Sequence, residues 1–354
     1  MNNSLKLTIS TNHFLKVLVV SIAVVAICYF ASSVLLPLFL AIILAAVLDK
    51  PNEFFMQKWK FPKWLAITCS MILLITTGVA ISAVVTNRVE NISEDWEEIQ
   101  KKSTQKIDKM ESWSEQNLGF NPIKMASNSE SFKDQLKGYG KKMAESLVTL
   151  LSQSFIILIY IVLLLMQKKM LQSFFYTLTP STELSAMREI VKESGETVSN
   201  YLIGKGKIMT ILFVMYYIGF LIGNVPYALF LALFAALFSI IPYVGNIIGG
   251  GSALVLASLY SGLTSGLIVL GVLVIAQILE SYILTPWIVG DEIDLNPFAT
   301  IFGVVVFSAL WGVVGAVIAL PVTGVLKVIF THINGLEAYG FLLAKNKEEK
   351  IESY

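Results

Sequence analysis

The stretch "FSIIPYVGNIIGGGSA", Phe238 to Ala253, carries one proline and four glycines inside a long apolar run. Both residue types interrupt helices: proline loses a backbone donor and crowds the preceding turn, and glycine gives up backbone order. A run this apolar belongs in hydrocarbon, where every backbone N–H and C=O needs a partner. Irregular backbone at that depth is tolerated only where protein buries it or water lines it. The segment therefore turns at mid-depth, over residues 242–251. The turn is either the wall of a polar cavity or a tightly packed glycine crossing.

Working outward, the segment has a counterpart. "PYALFLALFAALFSIIPYVGNIIGG" starts at Pro226 and "PFATIFGVVVFSALWGVVGAVIALP" at Pro297. Both open with Pro, an aromatic residue and Ala. Both place a Val-Gly pair in the middle, Val244-Gly245 and Val314-Gly315, with a breaker soon after: Gly249 to Gly251, or Pro321. The first arm, 227–241, would be roughly 22 Å long as a helix. That is short of the ~30 Å hydrocarbon core, and so is the second unit's arm, 298–311. Each unit reads as a re-entrant hairpin, with Pro242, Gly245, Gly249, Gly250, Gly315 and Pro321 as turn residues. One full span, 267–289, separates them, so the hairpins enter from opposite faces. Inverted repeats of this kind commonly build midplane binding sites in transporters.

The rest of the chain agrees with a membrane setting. Of its 354 residues 55% are hydrophobic and 14% charged, against about 25% charged in soluble domains. The fold class is all-α and polytopic, with about six full spans plus the two hairpins, or eight spans if each broken segment crosses. Full spans fall at 14–34, 35–48, 64–86, 148–166, 208–223 and 267–289. Lysines 50, 58, 60 and 63 in the first loop put the N-terminus in the cytoplasm by the positive-inside rule, and Lys345, Lys347 and Lys350 do the same for the C-terminus. The chain divides into spans 1–3 (1–86), an extramembrane helical domain (87–146), span 4 with a cytoplasmic amphipathic helix (147–205), an inverted-repeat core (206–333) and a charged tail (334–354). The extramembrane domain takes its helical period from Val89, Ile92, Trp96 and Ile99. The amphipathic helix, with Leu184, Met187, Val191, Val198 and Leu202 on one face, reads as interfacial.

Between Lys207 and Asp291 the only charged residue is Glu280. It lies about nine residues inside its span, roughly 14 Å deep. Carboxylates at such depth face a bundle interior or a water path. Gln277 and Ser281 share its stripe. With Asn246 and Tyr243 of the turn, they make the candidate substrate or ion path. The alternative is a protonated, structural Glu280. The net charge of +1 offers nothing to nucleic acid. Cys28 and Cys69 lie in apolar segments and read as free thiols, with no metal-ligand spacing. His13 and His332 stand near opposite ends of the chain and read as surface or interface residues. No phosphate loop, G-x-S-x-G or H-E-x-x-H motif is present, so no enzyme, metal, cofactor or ATP-driven pump is indicated.

The motifs "IPYVGNIIGG" (241–250), "QILESYILTPWIVG" (277–290) and "NPFATIFGVVVFSALWGVVGAVIALPVTGVLK" (296–327) resemble the bacterial autoinducer-2 exporter family of membrane transporters. Gln277, Glu280, Pro286, Gly290, Pro297, Gly315 and Pro321 match family positions. "GDEIDLNP" departs from the pattern, with Asp291 and Asn296 where a basic residue and a His are expected. The resemblance implies export of a small polar signal, sodium/proton exchange in some relatives, and homo-oligomers, pentamers among them. The readings that follow are a secondary transporter of a small polar solute, a sodium- or lithium-proton antiporter on the same scaffold, and a non-transporting scaffold displaying residues 87–145. The loop 285–297 is expected in the cytoplasm under the hairpin reading and outside if there are eight spans.

Overall fold

A computed structural model describes residues 11–94, 129–241, 245–290 and 293–345. In chain order the α-helices are α1 (Thr11–Phe30), α2 (Ser32–Lys58), α3 (Lys63–Glu94), α4 (Ser129–Leu178), α5 (Leu184–Ile222), α6 (Ala228–Phe238), α7 (Gly251–Tyr260), α8 (Leu263–Leu279), α9 (Pro297–His332) and α10 (Glu337–Leu343). Two stretches, Gly245–Gly250 before α7 and Glu280–Val289 after α8, are π-helical. Among the described residues the only β pairing is an isolated bridge between Leu295 and Ala344. Among the described residues six segments are long and apolar enough to cross a bilayer: Ser32–Lys58, Lys63–Val84, Ser154–Leu178, Ser181–Ile222, Leu263–Val289 and Pro297–His332. The protein is an all-α, multi-pass membrane protein.

One of those six doubles back on itself. In α9 the backbone leaves helical geometry at Trp311 and Gly312, where Gly312 takes φ +63° and ψ −144°. Glycine alone reaches that region without strain. A straight helix would hold residues 303 and 323 about 30 Å apart. Instead, a Cβ on Gly303 would stand 2.7 Å from the Thr323 hydroxyl, and one on Gly315 would stand 1.9 Å from the Phe307 carbonyl. The arms 297–310 and 313–332 therefore lie side by side. The break falls at Trp311–Gly312. Gly315 and Pro321, read from the sequence as turn residues, lie beyond it in the second arm.

The first broken segment is also a hairpin. A Cβ on Gly249 would come within 2.3 Å of Ala235 Cα, and one on Gly245 within 2.4 Å of Ser239 N. Small residues on both arms let the backbones touch. At its base the Ser261 hydroxyl donates to the Asn224 carbonyl over 2.6 Å, so both ends of the hairpin share one level. Gly245 closes the turn, while Gly249 and Gly250 lie in the second arm. Pro242 and Tyr243 fall outside the described residues.

Helix α8 and its π continuation, Glu280–Val289, link the two hairpins. They run antiparallel to α5, with Gly223 against Val269, Gly219 against Val272 and Gly204 against Val289. The Gly290 φ of +56° then turns the chain. Asn296 caps α9 by accepting from the Ala299 N–H (2.7 Å), and its amide donates to the carbonyls of Leu342 (2.6 Å) and Ala344 (3.1 Å). The Lys345 N–H donates to the Asp294 carbonyl, and the Lys327 ammonium pairs with the Asp294 carboxylate at 2.7 Å. Both ends of the second hairpin thus meet at the far end of α8. Residues 293–296 and 342–345 share one end of the molecule. A chain whose broken segments each crossed would separate them.

Several boundaries differ from the sequence reading. Helix α2 runs on to Lys58, carrying Pro37 and Pro51 inside it, so the expected loop after residue 48 is helical. The expected interfacial helix and the span after it are one continuous 39-residue helix, α5. No proline divides them. Of the expected lipid-facing stripe, Val198 is buried in protein, and neighbouring Thr197 packs against Gly324. An apolar stripe looks the same in sequence whether it meets lipid or protein. Most of the expected extramembrane domain, residues 95–128, lies outside the described residues, as do the side chains of Val89 and Ile92. Cys28 and Cys69 are free thiols. His332 Nε2 stands 3.5 Å from the Glu193 carboxylate, tying the end of α9 to α5.

Candidate functional site

Helix α5 presents a buried stripe at Thr197, Tyr201, Lys205, Ile208, Leu212 and Tyr216. The steps of four and three keep these residues on one face. Lys205 and Tyr216 lie three turns apart and bracket a dry stretch, since Ile208 and Leu212 are fully buried. Opposite them, the helix changes pitch at Glu280, where α8 gives way to the π segment. Pro286 sits within that segment, and the Gly290 N–H reaches back five residues to Thr285. A proline supplies no N–H to the regular ladder, which favours the wider winding. Single π turns are rare and concentrate at functional sites. Asn246 lies in the other π segment, at the tip of the first hairpin.

These elements bring the polar side chains together. The Lys205 ammonium holds Glu280 Oε1 at 2.7 Å, and the two side chains are only 9% and 12% exposed. The Tyr216 hydroxyl donates to Asn246 Oδ1, and the Asn246 amide donates to Gln277 Oε1. The Gln277 amide in turn donates to the Ser281 hydroxyl at 2.8 Å. This chain runs from the dry core to an exposed edge at Ser281. Tyr201 and Tyr216 both lie within electrostatic range of Glu280. Gln277 lies about 21 Å along the helix from Leu263, and a comparable length short of Val289. The hairpin tip therefore meets the middle of this span.

Of the residues read from the sequence, the structure brings together Gln277, Glu280, Ser281 and Asn246. Pro286 and Gly290 shape the end of the span, and Pro297 opens α9 behind the Asn296 cap. Gly249 and Gly250 pack the hairpin against Ala235 and Leu273. Gly315 and Pro321 belong to the second hairpin, away from the polar chain. Lys205 and Tyr216 were missed. Lys205 stands two residues before Lys207, so it reads as the end of a polar segment. The signal that could have found it is the spacing Tyr201–Lys205–Tyr216 on a single face. Its presence changes the chemistry, because Glu280 is a paired carboxylate and not a lone one. Among the described residues no group of three His, Cys, Asp or Glu gathers as a metal site.

A family profile described as AI-2E family transporter matches residues 18–335. The chain belongs to the AI-2E transporter family. Its similarity to TqsA of Escherichia coli K12, an AI-2 transport protein, is 21% identity over 96% of this chain and 98% of that one. YhhT of the same organism, a candidate transport protein, is 21% identical over 95% of each chain. YrrI of Bacillus subtilis, another candidate transport protein, is 30% identical, but over 46% of each chain. The match to YueF of the same species likewise covers only 42% of that relative. The chain thus aligns with about half the length of these two relatives.

Proposed function

We propose that this AI-2E family member is a secondary transporter that exports a small polar solute across the bacterial cell membrane by alternating access of its two hairpins. The observation that carries this reading is the chain Tyr216–Asn246–Gln277–Ser281 beside the Lys205–Glu280 pair, at the tip of the first hairpin and mid-span. Buried polar groups cost free energy unless paired. Here they pair with one another across three separate elements, so they can exchange partners with a solute carrying hydroxyl or carbonyl groups. Asn246 moves with the hairpin, while Gln277 and Glu280 stay with the span. Tyr243 would complete the path from the turn. Residues 206–333 form the transport core in this reading, and residues 87–146 stand outside the membrane. Family resemblance adds a homo-oligomer, a pentamer in the simplest form. Membership in a transporter family weighs against a mere scaffold. The alternative on the same scaffold is a sodium- or lithium-proton antiporter with Glu280 as the exchanging carboxylate, and cation-specific proton release from proteoliposomes would establish it.

The test is flux in proteoliposomes. Labelled autoinducer-2 is the first probe, because a full-length relative is named for it. We expect protein-dependent efflux that Asn246→Leu reduces by about tenfold or more, the equivalent of losing ~1.4 kcal/mol of transition-state stabilisation. Efflux no faster than from empty liposomes, for autoinducer-2 and for a panel of small neutral polyols, would remove the solute-exporter reading.

The membrane sidedness is part of the same proposal. We place both termini and the 285–297 loop in the cytoplasm, with the two hairpins entering from opposite faces. Cysteines introduced one at a time at Asp294 and Lys345, in a background lacking Cys28 and Cys69, should both resist a membrane-impermeant thiol reagent in intact cells and react after lysis. Labelling of both in intact cells would reverse the orientation. Labelling of only one would contradict the shared end.

A further inference from the structure

We propose that Lys205 is a resident counter-ion that reserves Glu280 for protons, so that the coupled ion of this protein is the proton and not sodium or lithium. The inference rests on reading this cluster as the transport site.

The Lys205 ammonium already occupies Glu280 Oε1 at 2.7 Å, with both side chains almost fully buried. A metal cation on that carboxylate would lie a few ångströms from the ammonium. Two unit charges of one sign repel strongly at that range in a desolvated setting. Such a cation would also need several oxygens. The nearby side-chain oxygens each already accept a hydrogen bond, Asn246 Oδ1 from Tyr216, Gln277 Oε1 from Asn246 and the Ser281 oxygen from Gln277, so a cation would compete with those donors. A proton needs none of this. It adds to the carboxylate of Glu280, forming one O–H bond and breaking none in the protein. The ion pair becomes a neutral carboxyl beside an ammonium, and the charge of the site rises by one. Release to the other side of the membrane restores the pair.

The groups facing Glu280 make this addition felt. From α5 they are Lys205 in direct contact and Tyr201 and Tyr216 within electrostatic range; Gln277, one turn back on its own helix, joins Asn246 of the hairpin and Ser281 to the cluster. Lys207, the next cation on α5, is exposed. With Glu280 protonated, the contact between α5 and the π segment keeps the ammonium as donor but loses the attraction between two opposite charges. Proton occupancy therefore loosens the contact that holds the mid-span cluster to α5.

Two measurements test the proposal without knowledge of the solute. The full chain is reconstituted in liposomes holding a pH-sensitive dye and given pulses of sodium, lithium or choline chloride. Equal dye responses to all three are expected. A proton release specific to sodium or lithium, and absent from Glu280→Gln, would overturn the idea. Infrared spectra then report the charge state of Glu280. The wild type at neutral pH should lack a protonated-carboxyl C=O stretch from Glu280. Lys205→Met should gain that band, and Lys205→Met/Glu280→Gln should lose it again. Lys205→Arg keeps the charge and should resemble the wild type, which covers the case in which Lys205→Met does not fold. A band that Lys205→Met fails to gain, or a wild-type band that Glu280→Gln removes, sinks the proposal. Absence of autoinducer-2 flux would leave both readouts intact, so failure of the solute reading can be told apart from failure of this one.

Discussion

Glu280→Gln should cut solute flux more than about tenfold, ~1.4 kcal/mol or more in barrier, and should also lower the unfolding temperature in detergent. Considered as a lone carboxylate, Glu280 would leave the fold intact when changed to its amide. Considered with Lys205, it does not. The variant strands a buried ammonium, and breaking a buried ion pair by removing one partner typically costs about 3–5 kcal/mol. The fold should survive with reduced stability. Replacing both partners by apolar residues of similar size is often neutral or stabilising. Lys205→Met/Glu280→Met should therefore unfold at or above the wild-type temperature and still not transport. Stability and flux would then move in opposite directions, which a purely structural ion pair cannot produce. A Glu280→Gln protein with wild-type unfolding temperature and wild-type flux would show that the pair serves neither role.

The second large effect lies in the hairpins. Gly249→Leu and Gly315→Leu should each sharply reduce the yield of folded protein and abolish flux in what remains. At Gly249 the first added carbon would lie 2.3 Å from Ala235 Cα, and at Gly315 it would lie 1.9 Å from the Phe307 carbonyl. Both obstacles are backbone and cannot rotate away. Overpacking against a side chain commonly costs about 1–3 kcal/mol, and a backbone obstacle forces the arms apart instead. Val255→Leu, on the exposed side of α7, adds a single methylene that faces outward and should change little. Size-exclusion profiles and proteoliposome flux, taken together, separate the cases. Normal elution and flux for the glycine variants would mean that the arms do not touch where these contacts place them.

The break in the first apolar run was visible in the sequence because proline and glycine act locally, but of the turn read over 242–251, residues 242–244 lie outside the described residues and Gly249 and Gly250 stand in the second arm. A break in an apolar run needs no knowledge of the neighbours. The second break was harder to place. The internal repeat pointed to Gly315 and Pro321, but the chain turns at Gly312, the residue that takes φ +63° and ψ −144°. Pro321 stays within the second arm. Two glycines three residues apart are indistinguishable until the backbone angle is known. Glu280, Gln277 and Asn246 stood out as polar residues in an apolar context. Lys205 did not, because its burial comes from the register of α5 against the π segment, which no local pattern encodes. The same reason hid the continuity of α5, since its stripe would look alike facing lipid or facing Gly324.

That continuity has a mechanical consequence. Thirty-nine residues without a break make a rod of about 58 Å, longer than the hydrocarbon layer is thick. Near one end it bears on the second hairpin through Thr197 and Gly324. Further along it bears on the first hairpin through Tyr216 and Asn246. Gly219 and Gly223 give it smooth seats against α8, and Gly204 against the π segment. If the hairpins move as proposed, a stiff beam resting on both would work as an axle: a swing that carries one hairpin outward would carry the other inward. The two gates would then be geared to each other by a single piece of secondary structure, with no need for a signal to pass between them.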